Sequence, residues 1–529
     1  MSIRRVVLCA GVWLTHAAVA SAQQPREGPT RARTLAEDLQ LFSQVLNQIR
    51  VNHPDSMDSH AMMMAAIEGL VGAVDPHSYV IPAVRLDSAR QRALEDGKLA
   101  TVPISFAYVG GVPLVVSIAP ATQASREDIV AGDELLSIAG ETVSAASAAE
   151  LELSLAGAKG SSVALRFRRR RLDGTTTQLD RTVLRESGDE ATAVPAAFML
   201  DTMTGYVRIT TFANAKVADD LHDAIGRLER SGMKRLLLDL RDNGGGLVAQ
   251  AGDVAGEFLP KGAVMYTTEG RKASVRKTVK VARSFWRGER SYPVVVLTNA
   301  GTASASELVA GALQDHDRAV IVGRPSFGKA LLMQGMPLTD GSVMMLVVGH
   351  IKTPCGRVIQ RQYRQMNTTM YYRAAGALAD TTGRPSCRSA SGRTLYGGGG
   401  IYPDVVLDES PPTPLWLTRV RESGVALKWA GARMSESLPA SVDSFLTTQV
   451  VTPSNVQDFR AAAAAAGVQI PAGDATDAQL QRELRTVVAR LKLGDAAFFR
   501  LIVVDDPWIP AAIQAFSAAS ILKGPSSAP

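Results

Sequence analysis

Apolar and polar positions change rhythm several times along this chain, and each change marks a boundary. Leu35, Leu39, Phe42, Leu46 and Ile49 recur at four-three-four-three spacing, which places them on one face of a helix. A second helix is predicted over 59–71, ended by the turn Asp75-Pro-His-Ser78. Over 101–187 short apolar runs take over. Ile104–Val109, Leu114–Ile118, Glu134–Ile138 and Val163–Arg168 read as strands, divided by the turn signals Gly132-Asp133 and Gly140, with a helical piece at Ala148–Leu155. From 204 to 409 strands alternate with helices. The strands are Gly205–Thr211, Arg235–Leu240, Pro293–Thr298, Ala319–Gly323 and Ser342–His350, and the helices Val217–Ser231, Leu247–Leu259 and Ser304–Gln314. That alternation predicts an α/β layer architecture. Pro411-Pro412-Thr413-Pro414 reads as a linker, and the rest is helical, with an apolar stripe at Leu480, Leu484, Val487, Val488 and Leu491. The fold class is therefore α/β multidomain, with helical N- and C-terminal regions.

Length and composition narrow the function class. A chain of 529 residues is too long for one core. At 46% hydrophobic and 20% charged it is not a disordered chain. The net charge of +6 is small for this length, and no RNP-like, zinc-finger or basic-zipper pattern is present, so nucleic acid is not an expected partner. The run Arg168–Arg171, with Arg166, leads into Asp173-Gly174 and reads as a solvated hairpin edge. It leaves weak attraction to anionic lipid heads as the one membrane-surface association in view.

Arg4 and Arg5, the apolar run Val6–Ala20 and the small-residue site Ala20-Ser21-Ala22 form a secretory signal over 1–22. A retained anchor is the competing reading of that run. No later segment reaches about 18 consecutive apolar residues, so the mature protein is expected to be soluble and extracytoplasmic. The expected organisation is signal 1–22, helical region 23–100, β-rich module 101–187, α/β core 188–409 and helical region 410–529. Loss of the signal removes Cys9 and leaves Cys355 and Cys387, either as a disulfide or as two free thiols.

Candidate chemistry begins with exclusions. There is no HExxH, no CxxC pair and no EF-hand loop, so no metal site is expected. Gly323 to Lys329 fits the start of a phosphate-binding loop, but Ala330 stands where a magnesium-binding hydroxyl is required. Ser326-Phe-Gly-Lys329 fits S-x-x-K without the S-D-N or K-T-G that accompany it in penicillin-recognising enzymes. The stronger signal is Asn299-Ala-Gly-Thr-Ala-Ser-Ala-Ser-Glu307, which follows an apolar strand and opens a helix. A serine there stands at the end of a sheet, beside free amides able to face a developing anion. Helix capping by Thr302, Ser304 or Ser306 is the plainer account of the same residues. Leu238-Asp-Leu-Arg-Asp-Asn-Gly-Gly-Gly246 is a second strand–turn–helix, whose glycines permit close backbone approach to a ligand.

Taken in order, Gly205-Tyr-Val-Arg-Ile209, Asp239 to Gly246, Thr302 to Glu307, Ser326 to Lys329, Asp340-Gly-Ser342, Thr353-Pro-Cys-Gly-Arg357 and Gly398 to Asp404 resemble the carboxy-terminal processing peptidases, the tail-specific serine proteases. Asp75 to Ser78 looks like that family's N-terminal helical motif, and 101–187 like its PDZ module, with Ala131 to Ile138 the clearest piece. The resemblance implies a crotonase/ClpP-like α/β core and a PDZ-like module. It implies Ser304 as nucleophile and Lys329 as general base, 25 positions apart (329 − 304). It implies the amides of Ala305 and Gly245 as oxyanion hole, and matches Asp315 to a supporting helix aspartate. Val102, Ile104 and Phe106 fall in the peptide-binding segment, which here lacks the usual Gly-Ile-Gly. Where the family commonly has Gln to orient the lysine, this chain has Met333, with Gln334 one place later, so that either Gln334 takes over through a local shift, or the lysine is held otherwise, or activity is weak. A lysine acts as base only when neutral, so its pKa must fall from about 10.4 by about 3 units, and Phe327, Leu331, Leu332 and Met333 supply an apolar pocket. The implied reaction is acyl-enzyme hydrolysis of polypeptides with accessible C-terminal tails, without a cofactor. The rival readings are a catalytically silent tail-binding scaffold and a crotonase-like acyl-transfer enzyme, the latter without any sign of a coenzyme A site.

Overall fold

The computed structural model describes residues 33–522, apart from 82–98, 283–289 and breaks of at most five residues. The signal segment lies outside the described residues. The chain divides into a unit ending at Ile67 and a larger one beginning at Glu68. In the first, Thr34 and Glu37 form a reciprocal capping box that starts α1 (Leu35–Asn52). Leu35, Leu39, Phe42 and Ile49 share a face as their spacing requires, yet all four are exposed. Periodicity predicts an amphipathic helix, not the surface that covers it. α2 (Ser59–Gly72) follows, then the Asp75 turn and β1 (Tyr79–Ile81).

The β-rich module has strands β2 (Ile104–Val109), β3 (Val112–Ile118) and β4 (Glu134–Ile138), then α3 (Ala148–Leu155), β5 (Ser162–Arg170) and β6 (Thr176–Leu184). They form one antiparallel sheet in the order β2-β3-β4-β5-β6. Its own core gathers Val102, Ile104, Val115, Leu135, Leu151, Leu155, Phe167 and Val183. β6 was not foreseen, because its residues are mostly polar and only Val183 is buried. Three arginines of β5 pair within the module: Arg166 with Asp180, Arg168 with Glu134, and Arg169 with Asp133 and Asp128.

The α/β core is built on β7 (Ala196–Met199), β8 (Thr204–Arg208), α4 (Val217–Arg230), β9 (Arg235–Asp239), α5 (Val248–Ala255), β10 (Val264–Gly270), β11 (Lys277–Lys280), β12 (Val294–Thr298), α6 (Ala305–Asp315), β13 (Val320–Gly323), β14 (Leu331–Pro337), β15 (Val343–Lys352), α7 (Thr368–Arg373) and β16 (Val405–Val406). The main sheet runs β7-β8-β9-β12-β13-β16, parallel except for β7. Its central strands are apolar on both faces, as a covered parallel sheet demands. Leu236, Leu238, Val294, Val296 and Ile321 pack with residues of α4, α5 and α6. Tyr206, Leu237, Val295, Leu297 and Val322 face the other way and meet Val503, Ile509, Ala512 and Phe516. The last helices therefore close the core, and 410–529 is not a separate appendage. Its remaining helices have a core of their own around Trp429, Phe459, Leu480, Leu484 and Val488. A second sheet, β1-β15-β10-β11 with β14 on β15, lies within the same unit. β10, β11 and β14 were not read from sequence, since Thr, Lys and Glu interrupt the first two and Gly335 the third.

Cys355 and Cys387 are bonded, which decides between the two expectations for this pair. Thiol titration of the denatured, unreduced chain lacking residues 1–22 is expected to find no free thiol. Two free thiols would contradict the bridge.

Candidate active site

Three turns leave the C-terminal ends of neighbouring parallel strands, β9, β12 and β13, and are tied to one another. Asn299 Oδ1 accepts from the amides of Asp242 (2.9 Å) and Gly301 (3.0 Å), and Asn299 Nδ2 donates to Asp242 Oδ1 (2.8 Å). Asn243 is fully buried and bridges further. Its Nδ2 donates to Ile209 O (2.9 Å), and its carbonyl accepts from Ala303 N (2.9 Å) and Ser306 Oγ (3.0 Å). Phe327 N donates to Thr302 O (2.8 Å), which brings in the lysine turn.

Ser304 stands at φ 56°, ψ −117°, immediately before α6. A side chain in that left-handed region carries strain of order 1–3 kcal/mol. Ser304 is half-buried. The amide of Ala305 is the first of the helix and makes no hydrogen bond among the described residues. Gly245, at φ 94°, packs against it. A Cβ there would lie 2.8 Å from Ser304 Cβ and 2.9 Å from Ala305 N, so a glycine is required. The Gly245 amide itself donates to Asn243 Oδ1 (3.0 Å). Of the two amides expected to form an oxyanion hole, that of Ala305 is open and that of Gly245 is engaged. Ser306 is buried with its hydroxyl on Asn243. Asp315 lies at the far end of α6, where its carboxylate holds the Cys355 amide and the Arg357 guanidinium. Asp315, Cys355 and Cys387 converge, but both sulfurs are committed to the disulfide rather than to a metal.

Glu307 was not assigned a role from the sequence, and it joins the pieces. It is fully buried. Oε2 accepts from the amides of Ser304 (2.8 Å) and Lys329 (2.8 Å), and Oε1 from Gly328 N (2.6 Å) and Ser326 Oγ (2.5 Å). Burial pushes its carboxyl up to about 7, against the pull of those hydrogen bonds. The available signal was the S-x-x-E spacing of a helix start, where glutamate reaches back to the cap amide. Burial likewise lowers the pKa of Lys329, opposed by the negative charges of Glu307 and Asp75. The direction is the one a neutral amine requires. Met333 is half-buried, and Gln334 is exposed with no hydrogen bond to Lys329 among the described residues, so the glutamine expected to hold the lysine does not reach it.

In the β-rich module, Val102 and Ile104 are core residues, 3% and 8% exposed, and Phe106 packs partly against the same core. What β2 leaves open is the backbone of an edge strand.

The model for peptidase family S41 matches residues 203–369. The carboxy-terminal-processing protease of Bartonella bacilliformis is 30% identical over 363 residues, covering 68% of this chain and 80% of its own. The carboxyl-terminal-processing peptidase 2 of Arabidopsis thaliana, a chloroplastic protein, is 29% identical over 312 residues, 57% of this chain and 59% of its own. The carboxy-terminal processing protease CtpA of Bacillus subtilis is 27% identical over 343 residues, 63% and 69%. Among solved structures, the photosystem II D1 C-terminal processing protease shares 25% identity over 74% of this chain and 92% of that one, with a TM-score of 0.33.

Proposed function

The chain belongs to the carboxy-terminal processing proteases of peptidase family S41, which are serine peptidases, and from that premise we propose that Ser304 and Lys329 form its catalytic dyad. The observation that carries this reading is the Glu307 carboxylate, which takes the main-chain amides of both residues and so fixes nucleophile and base to one buried anchor. Neutral Lys329 accepts the Ser304 hydroxyl proton as Oγ attacks the peptide carbonyl. The oxyanion turns to the Ala305 amide, with the neighbouring glycine turn as the second source of N–H groups. Lys329 then protonates the leaving amine. Water, deprotonated by the same lysine, attacks the acyl ester, and Lys329 returns that proton to the departing Ser304 Oγ as the ester bond breaks, which releases the acyl group as a new C-terminal carboxylate. No step calls for a cofactor.

The finer reading of the architecture is a crotonase/ClpP-like core carrying a PDZ-like module over 101–187. Support comes from the edge of β2, unpaired among the described residues, with α3 packed in the same core, to which an extended tail can add as a strand. The substrates are then exported polypeptides with accessible C-terminal tails. Export is supported by the signal pattern in residues 1–22 and by the disulfide, which persists in oxidising compartments. No helix of the described residues is long and apolar enough to cross a membrane.

The test uses unfolded model proteins that differ only in their last three residues, with Ser304→Ala as control. Tail-dependent cleavage is expected. Cleavage indifferent to the tail would remove the recognition step, and binding without cleavage would return the scaffold reading.

A further inference from the structure

The turn Asp75-Pro-His-Ser78 is remote from Lys329 in sequence, and the structure brings it beside the lysine strand. Asp75 Oδ1 accepts from the amides of His77 (2.8 Å) and Ser78 (2.7 Å), and Oδ2 from Ser78 Oγ (2.6 Å), which fixes the turn. Ser78 Oγ in turn accepts from Val347 N (3.0 Å). Val347 stands opposite Met333, at the register shift between β14 and β15. The turn is thereby fastened to the strand pair that continues from Lys329.

A second connection runs through side chains. His77 Nε2 lies 2.8 Å from Tyr371 Oη. Gln360 Nε2 donates to the same hydroxyl (3.2 Å), and Gln360 Oε1 accepts from the amide of Ala330 (2.8 Å). All three side chains are buried. The rings of His77 and Phe327 both meet Tyr371 edge-on, and Arg361 lies over Phe327 and Tyr371 at 4.5 and 4.4 Å. Burial first, and the nearby lysine charge second, hold His77 down at about 4, so it is neutral wherever the lysine works.

The main chain around Lys329 is thus held on both sides. Its own amide is fixed by Glu307, and the next amide by Gln360. The amine sits at the end of a flexible stem, so its place is only as fixed as the backbone that carries it. Met333 and Gln334 offer no side-chain hold.

We propose that Gln360, Tyr371 and His77 form a positioning chain that sets the Lys329 amine through the Ala330 amide. The N-terminal turn is thereby part of the catalytic apparatus without touching substrate. This rests on the reading of Lys329 as base.

The test is steady-state cleavage of a fluorogenic peptide by the mature full-length chain, with melting temperatures recorded alongside. Gln360→Met removes its bonds to the Ala330 amide, the Tyr371 hydroxyl and the Arg361 carbonyl and keeps its bulk. It is expected to lower kcat about 10- to 100-fold with KM within about twofold, as a displacement near 1 Å does. Tyr371→Phe keeps the ring beneath Arg361 and removes only the hydroxyl, so it is the variant least able to disturb folding. It should lower kcat about 5- to 20-fold. The double variant should match Gln360→Met alone, because the hydroxyl acts through Gln360. Wild-type kcat in Tyr371→Phe, losses that multiply in the double variant, or KM rising in step with the fall in kcat would each overturn the chain. Ser304→Ala and Lys329→Ala are assayed beside them. Cleavage surviving there removes the dyad itself, whereas loss there with normal kcat in Tyr371→Phe removes only the positioning chain.

Discussion

Cleavage falls roughly 10⁴- to 10⁶-fold when Ser304 is replaced by alanine, the range that loss of a serine nucleophile produces. Lys329→Ala falls in the same range, since a hydroxyl without a base is a poor nucleophile. Neither change should unfold the protein. Ser304 makes no buried side-chain bond that holds a neighbouring turn, and Lys329 is tied through its main chain. Ser306→Ala is the informative contrast. It removes a buried hydrogen bond to Asn243 and should lower stability by about 1 kcal/mol, with turnover within about tenfold of wild type. The pH profile carries an independent sign. Only the neutral amine is competent, so kcat/KM should rise with pH and level off above the lysine's pKa, which burial holds below its ordinary value. Full activity in Ser304→Ala, or a rate that falls as pH rises through that limb, would remove the dyad.

Glu307→Gln should be the second most damaging change. Both carboxylate oxygens act as acceptors, each for two donors. An amide must turn its NH₂ toward one of those pairs, leaving N–H or O–H groups unpaired in a buried site at about 1–3 kcal/mol each. With the amides of Ser304 and Lys329 no longer fixed together, turnover should fall about 100- to 1000-fold. The pH limb should move the other way from what the slower rate would suggest. Without the glutamate charge Lys329 loses the partner that holds its proton, so the limb should shift to lower pH. The stability profile gives a further sign. A carboxyl raised from 4.5 to about 7 in the folded state binds its proton more tightly there than in the unfolded chain. Wild-type stability should therefore decline as pH rises from about 4.5 to about 7, and Glu307→Gln should flatten that decline. Unchanged turnover with an unmoved pH limb would leave Glu307 a mere helix cap.

Much of this site is legible because its signals are local. A serine before a helix and glycines after a strand are visible in the sequence itself, the pairing of that serine with Lys329 is what the family resemblance implies, and the strands that carry them are apolar on both faces. What hides is whatever depends on segments meeting. Glu307 reads as a capping residue and is one, since it takes the Ser304 amide. Its larger role arises only when the turn at Ser326–Lys329 closes over it. Asn243 looks like one more polar turn residue until its carbonyl is found holding two others. Val102 and Ile104 match the place of a peptide-binding segment in the resemblance, but a matching place does not fix whether the side chains there face a groove or a core. The strands at 264–270, 277–280 and 331–337 are held by partners rather than by apolar pattern, and single-sequence periodicity is blind to that.

The covering of the main sheet by Val503, Ile509 and Phe516 also bears on when the enzyme can exist. Synthesis delivers Ser304 and Lys329, the proposed dyad, long before it delivers the helices that seal the second face of their sheet. Until those helices arrive, Tyr206, Leu237 and Val295 have no partner on that side, and the strands carrying the serine and lysine turns are open to water. Contacts between segments so far apart in sequence also form late and slowly. A chain cut before Val503 is therefore expected to leave that face of the sheet unsealed and to lack proteolytic activity.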